Sequence, residues 1–136
     1  MAIGKLWCTV LDVNDLAEAE RFWAEVTGFR LSFSGWNDQF SSLRGEGNEE
    51  ILLQLVPETK AVKNRAHFDF GVEDVTRAAE EVVALGGSVV HPLRSWPEHD
   101  PGMEWVIAAD PYGNEFCLIR IYDRSKLSIP AVSHPA

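Results

Sequence analysis

Val13-Asn14-Asp15-Leu16 and Val72-Glu73-Asp74-Val75 are the two stretches whose reading decides the fold. They lie 74 − 15 = 59 residues apart, and at that offset Ala19 meets Ala78 and Gly28 meets Gly87. Each stretch follows an extended apolar run and opens a helical pattern. Asp15 and Asp74 have the chemistry of N-caps, whose carboxylates accept from the unpaired N–H groups of a first helical turn.

Working outward, Leu16, Ala19, Phe22, Trp23 and Val26 share one face at 3–4 spacing, as do Val75, Ala78, Ala79, Val82 and Leu85. Gly28 and Gly86-Gly87 stand where C-cap glycines would end the two helices. Three candidate strands follow each helix: Phe29–Ser34, Gln39–Leu43 and Ile51–Val56, then Ser88–His91, Glu104–Ala108 and Glu115–Ile121. Asp110-Pro111-Tyr112-Gly113-Asn114 is a hairpin turn, because Pro presets φ and Gly or Asn accepts positive φ. Polar Pro57–Arg65 reads as a linker. The expected class is α+β: two βαβββ modules forming a cup-shaped mixed sheet with helices on the outer face. Module one spans about 5–57 and module two about 66–122, within one domain over 1–122. The stretch 123–136 is expected to be a loose tail or an arm over a neighbouring subunit.

Side chains alternate across a strand, so each strand divides into two faces. Phe68, Phe70 and Val72 pack toward the helix, leaving His67 and Asp69 on the other side. Thr9, Leu11 and Val13 likewise leave Cys8, Val10 and Asp12. Ile51, Leu53 and Leu55 leave Leu52, Gln54 and Val56, while Phe116 and Leu118 leave Glu115, Cys117 and Ile119. The helix-free face mixes polar with apolar residues, which suits a concave pocket, and Val10, Leu52, Val56 and Ile119 want cover there.

The net charge of −9, from 12 basic and 21 acidic residues, argues against a nucleic-acid partner or a polybasic membrane contact. No apolar run approaches the ~20 residues of a membrane helix. Met1–Val13 has one lysine and no h-region with a cleavage site, so a cytoplasmic location is expected. In that compartment Cys8 and Cys117, the two cysteines, read as free thiols.

His67 beside Asp69 suits a general base, and equally a structural histidine at a strand start. Trp23 lies on the apolar helix face, and Trp7 is expected under a helix or at an edge. Trp36, Trp96 and Trp105 fall in or near loops, where they could stack a planar ligand or serve packing or a dimer contact. His91 and His99 flank a Pro- and Trp-rich loop running from His91-Pro92 to Pro101-Gly102. Glu46, Glu49 and Glu50 read as a solvated hairpin loop, and Glu80-Glu81 as a polar helix face.

The V-x-D-L with Phe22-Trp23, Thr27–Phe29, His67-Phe68-Asp69-Phe70-Gly71-Val72 and Asp110-Pro111-Tyr112-Gly113-Asn114-Glu115-Phe116 resemble the vicinal oxygen chelate superfamily, over roughly 5–122. That group includes glyoxalase I, bleomycin-resistance proteins and extradiol dioxygenases. The resemblance implies paired βαβββ modules around a cup, commonly in a homodimer. It also implies metal ligands on the first and last strands of each module, here Cys8, Gln54, His67 and Cys117. The chain departs from the family's ligand set, keeping one His and no carboxylate at either last-strand position. Such donors serve magnesium, manganese or non-haem iron poorly. Two thiolates and an imidazole suit zinc, although each cysteine is also explained as a small apolar filler.

The expectation is a binder of a small hydrophobic or aromatic molecule without a catalytic metal or other cofactor. Asp12, Trp36, Gln54, Asp69, Trp96, Trp105 and Glu115 would line its site. The alternative is a glyoxalase-type lyase or isomerase that depends on His67, with or without zinc or another divalent metal. A third reading is an interaction module whose cup is filled by its own side chains or a partner's tail.

Overall fold

The structure is a computed structural model that describes residues 2–96 and 100–123; for 93–96, 100 and 101 it describes backbone only. The order is β1 (Thr9–Val13), α1 (Leu16–Thr27), β2 (Arg30–Trp36), β3 (Phe40–Arg44), β4 (Glu50–Leu55), β5 (Phe68–Gly71), α2 (Val75–Ala84), β6 (Ser88–Trp96), β7 (Asp100–Ala109) and β8 (Glu115–Ile121). The βαβββ pattern therefore occurs twice. The strands form two four-stranded sheets, ordered β1-β4-β3-β2 and β5-β8-β7-β6. Within each, the first and last strands pair in parallel and the remaining neighbours are antiparallel. The chain divides into two compact units, one up to Val62 with Pro111–Asn114, the other Lys63–Asp110 with Glu115 onward. No helix among the described residues is long and apolar enough to cross a membrane.

Local chemistry sets the helix ends. Asp15 and Asp74 are extended N-caps whose carboxylates accept from Glu18 N at 2.9 Å and Arg77 N at 3.0 Å. Gly28 takes the left-handed conformation at φ 73° and donates to Ala24 O. In α2 the left-handed residue is Gly86, at φ 101°. Gly86 N bonds Val83 O and Gly87 N bonds Val82 O, the paired closure of a Schellman motif. So the glycine that matches Gly28 in role is Gly86, one residue short of the exact repeat.

The apolar faces go where the alternation puts them. In the first unit Val13, Ala19, Phe22, Trp23, Leu43, Ile51 and Leu53 are buried, with Phe22 and Trp23 edge to face at 5.2 Å. In the second, Val75, Ala79, Val82, Val106, Ala108, Phe116 and Leu118 are buried, with Phe70 edge-on to Phe116 at 5.7 Å. Each large buried side chain contributes about 1.5–3 kcal/mol.

One expectation is corrected. The loop expected from His91-Pro92 to Pro101-Gly102 is mostly strand: β6 runs on to Trp96 and β7 begins at Asp100. Register shifts between Val89 and His91 and between His91 and Arg94 accommodate Pro92, which cannot donate to a ladder. Trp105 lies inside β7, within the expected strand Glu104–Ala108. The hairpin turn Asp110–Asn114 is found as expected between β7 and β8, and its residues Pro111–Asn114 belong to the first compact unit. The Tyr112 hydroxyl lies 2.9 Å from both Asp15 O and Glu18 Oε1, and Asn114 Nδ2 donates to Asp12 O at 2.9 Å.

Candidate functional site

In the first unit the cross-strand register fixes which side chains share the helix-free face. Arg30, Arg44 and Glu50 form one row; Phe33, Ser42, Leu52 and Val10 the next; Trp36, Phe40, Gln54 and Asp12 the third. This face carries a cleft of about 280 Å³ lined by Trp7, Cys8, Phe33, Trp36, Phe40, Arg44, Glu50 and Leu52. Four of these eight are aromatic. Trp36 and Phe40 meet as tilted rings 5.7 Å apart. Trp36 is 62% exposed and Trp7 81%, so their ring surface is available rather than spent on packing.

One end of the cleft is polar. Glu50 Oε2 accepts from Ser42 Oγ at 2.5 Å and lies 3.5 Å from an Arg44 nitrogen. The Glu50 side chain is 9% exposed and Arg44 57%. Burial and the Glu50 charge push the Cys8 thiol up, against the pull of Arg44. It is therefore a neutral thiol and not a nucleophile poised as thiolate.

The second unit places ionisable groups at the matching rows. His67, Asp69 and Cys117 bring their ligand atoms within 4.8 Å of one another. His67 and Asp69 are two apart on one strand and so share a face, with Nε2 3.3 Å from Oδ1. Cys117 stands opposite Asp69 in the β5–β8 ladder. Cys117 is 8% exposed. Burial, then the charge and the hydrogen bond of Asp69, push its thiol up to about 11.

An imidazole, a carboxylate and a thiol are three of the usual zinc donors, so this set fits that ion. His67, Asp69 and Cys117 would hold it, and the ion would displace the Cys117 proton. When bound, it would polarise an oxygen atom of a ligand. The sequence reading placed Asp69 among ligand-binding groups and not among metal ligands. It becomes a donor only because β5 and β8 pair in this register.

Gln54 has a different address from Cys117. Asp69 faces Cys117, and Val10, 59 residues before Asp69, faces Leu52. Leu52 is thus the module-one counterpart of Cys117, whereas Gln54 faces Asp12 and corresponds to Ile119. Asp12 is exposed and gives its carbonyl to Asn114. Glu115 is tied down by Asn64 N at 3.4 Å and Lys63 Nζ at 3.9 Å. Trp105 is half-buried, between Arg94 and Ile119 in the register. The side chain of Trp96, together with His99 and His134, lies outside the described residues.

Sequence reasoning missed Trp7, Phe33, Phe40, Arg44 and Glu50. Trp7 is not beneath a helix; it is exposed beside the cleft, just ahead of the edge strand β1. Glu50 is not part of a solvated loop, because pairing in β4 turns it toward Ser42 and Arg44. The signal was available: carrying the alternation of Leu52 and Gln54 across the hairpin puts Phe40, Ser42 and Arg44 on the same face.

Comparison with known proteins adds the family. The model of the glyoxalase-like domain matches residues 8–119. The fosfomycin resistance protein FosX from Listeria monocytogenes superposes with a TM-score of 0.69 at 17% identity, covering 88% of this chain and 94% of that one. A glyoxalase-related enzyme from Fulvimarina pelagi gives 0.67 at 22% identity, covering 87% and 88%. A glyoxalase/bleomycin resistance protein/dioxygenase family enzyme from Burkholderia phytofirmans PsJN gives 0.64 at 19%, covering 87% and 99%. At these identities the likeness is one of fold. No curated protein matches the sequence. With the repeated βαβββ order and a family match that spans both modules, the chain belongs to the glyoxalase-like domain family of the vicinal oxygen chelate superfamily.

Proposed function

We propose that the protein binds a small hydrophobic or aromatic molecule on the helix-free face of its first module. The observation that carries this reading is the cleft whose walls are Trp7, Phe33, Trp36 and Phe40 over Leu52. Large aromatic surface left open on a sheet face is costly in water and gains by stacking on a ring. Calorimetric titration with a panel of one- and two-ring aromatic compounds tests it. Saturable binding that weakens at least tenfold in Trp36→Ala is the expected result. A panel with no binder overturns the reading. A homodimer goes with this proposal, on the strength of the family resemblance, and sedimentation velocity tests it.

A second reading is favoured by one observation of its own, the His67–Asp69–Cys117 cluster. It is a lyase or isomerase of the glyoxalase type that depends on zinc or another divalent metal, or on His67 as a base. Elemental mass spectrometry of untagged protein separates the two. Near-stoichiometric metal that is lost in His67→Ala and Cys117→Ser, but kept in Cys8→Ser, makes the metal-dependent enzyme the leading reading. Metal far below one per chain leaves the organic-ligand site ahead.

A further inference from the structure

If the first module binds an aromatic molecule, the polar end of its cleft narrows the class of ligand, and the narrower class rests on that proposed site. Glu50 is committed: it is 9% exposed, and its Oε2 takes the Ser42 hydroxyl at 2.5 Å while Arg44 stays 3.5 Å away. A well-formed charge-assisted bond is about 2.7–2.9 Å, so the Arg44 contact is loose. Glu50 is the one ion-pair partner of Arg44 among the described residues, and the guanidinium side chain is 57% exposed. Its planar fork keeps donors free on the side away from Glu50. Arg30 stands directly opposite Arg44 in the β2–β3 ladder, on the same face. The row at this end of the sheet therefore runs Arg30, Arg44, Glu50, two cations to one carboxylate, on a chain whose net charge is −9. The same balance disfavours a cationic guest, which would otherwise suit an aromatic enclosure.

We infer that the cleft selects planar aromatic molecules bearing a carboxylate or comparable anionic group, with the rings on Trp36 and Phe40 and the anion on the Arg44 guanidinium. The volume of about 280 Å³ lies at the small end of ligand sites and suits one or two rings. Rings supply the affinity through apolar contact, and the guanidinium supplies the choice among rings, because its bidentate geometry matches a carboxylate.

Calorimetric titration of the full chain with 2-naphthoate, 2-naphthamide and 2-naphthyltrimethylammonium tests this, in wild type, Arg44→Gln and Arg44→Lys. In wild type the acid binds at least tenfold more tightly than the amide. Arg44→Gln brings the acid to within twofold of the amide, and a cooperative thermal unfolding transition shows that the variant folds. Arg44→Lys keeps part of the preference. Equal binding of acid and amide in wild type overturns this inference and leaves the aromatic site standing. Tightest binding of the ammonium compound overturns it as well. Failure of all three to bind removes both the inference and the aromatic site beneath it.

Discussion

The two modules share one lattice of positions and fill it differently. The row Phe33, Ser42, Leu52, Val10 in the first corresponds to His91, Ile107, Cys117, Asp69 in the second. On the first sheet that row is mainly apolar and borders the aromatic cleft. On the second it holds a carboxylate facing a thiol, with His67 beside them. The opposite faces have not diverged in kind, since both pack buried apolar side chains between a helix and a sheet. The lesson is that packing against a helix constrains one face, because a cavity or a buried charge there destabilises the unit. On the other face no helix among the described residues of the same unit packs, and that face can take up binding or chemistry.

That contrast can be broken most sharply in the cores. Trp23→Ala and Phe116→Ala each delete a side chain that is 0% exposed, and each is expected to cost about 3–5 kcal/mol by urea denaturation. Trp36→Ala, on the open face of the first sheet, is expected to change stability by less than about 1 kcal/mol while removing ligand binding. A loss at Trp36 as large as at Trp23 would show that the open face is covered in solution.

The ionisable face of the second module predicts a pH dependence that the first module's core does not. An unfolded thiol ionises near 9.0, whereas native Cys117 keeps its proton until about 11. Its contribution is present in full below pH 9 and is lost as pH rises toward 11, because the unfolded state releases the proton first. The difference in unfolding free energy between wild type and Cys117→Ala is therefore expected to shrink over that window, on the order of 2 kcal/mol. Alkylation kinetics in a Cys8→Ser background check the cause: Asp69→Asn lowers the apparent thiol pKa. No change on removing Asp69 would leave burial as the whole explanation.

The smallest effects test where the modules are alike. Asp15→Ala and Asp74→Ala each remove a carboxylate bonded to a first-turn N–H, and each is expected to cost about 1 kcal/mol. An excess cost at Asp15 would trace to its carbonyl, which also lies 2.9 Å from the Tyr112 hydroxyl. Thermal unfolding of Tyr112→Phe beside Asp15→Ala separates the two contributions.

By itself the sequence determined the repeat, both helices with their caps, the six strands after them and the faces those strands bury. These depend on local chemistry and short periods: an Asp that accepts from the backbone, a Gly that takes positive φ, apolar side chains at intervals of two or three to four. It misjudged the stretch from His91 to Gly102, because Pro92 and the tryptophans read as a loop until a partner strand absorbs the irregularity with shifts in register. It paired His67 with Asp69 and with Cys117 but did not bring the three together, and it missed Arg44, Glu50 and three of the four cleft aromatics. Only the tertiary structure decided these. Cross-strand register, which sets Asp69 against Cys117 and Leu52 rather than Gln54 against Val10, depends on contacts between residues more than 40 positions apart. Setting Gln54 against Val10 would be a slip of two residues, which keeps every side chain on its face, so the apolar alternation that assigns the faces does not choose between the two alignments.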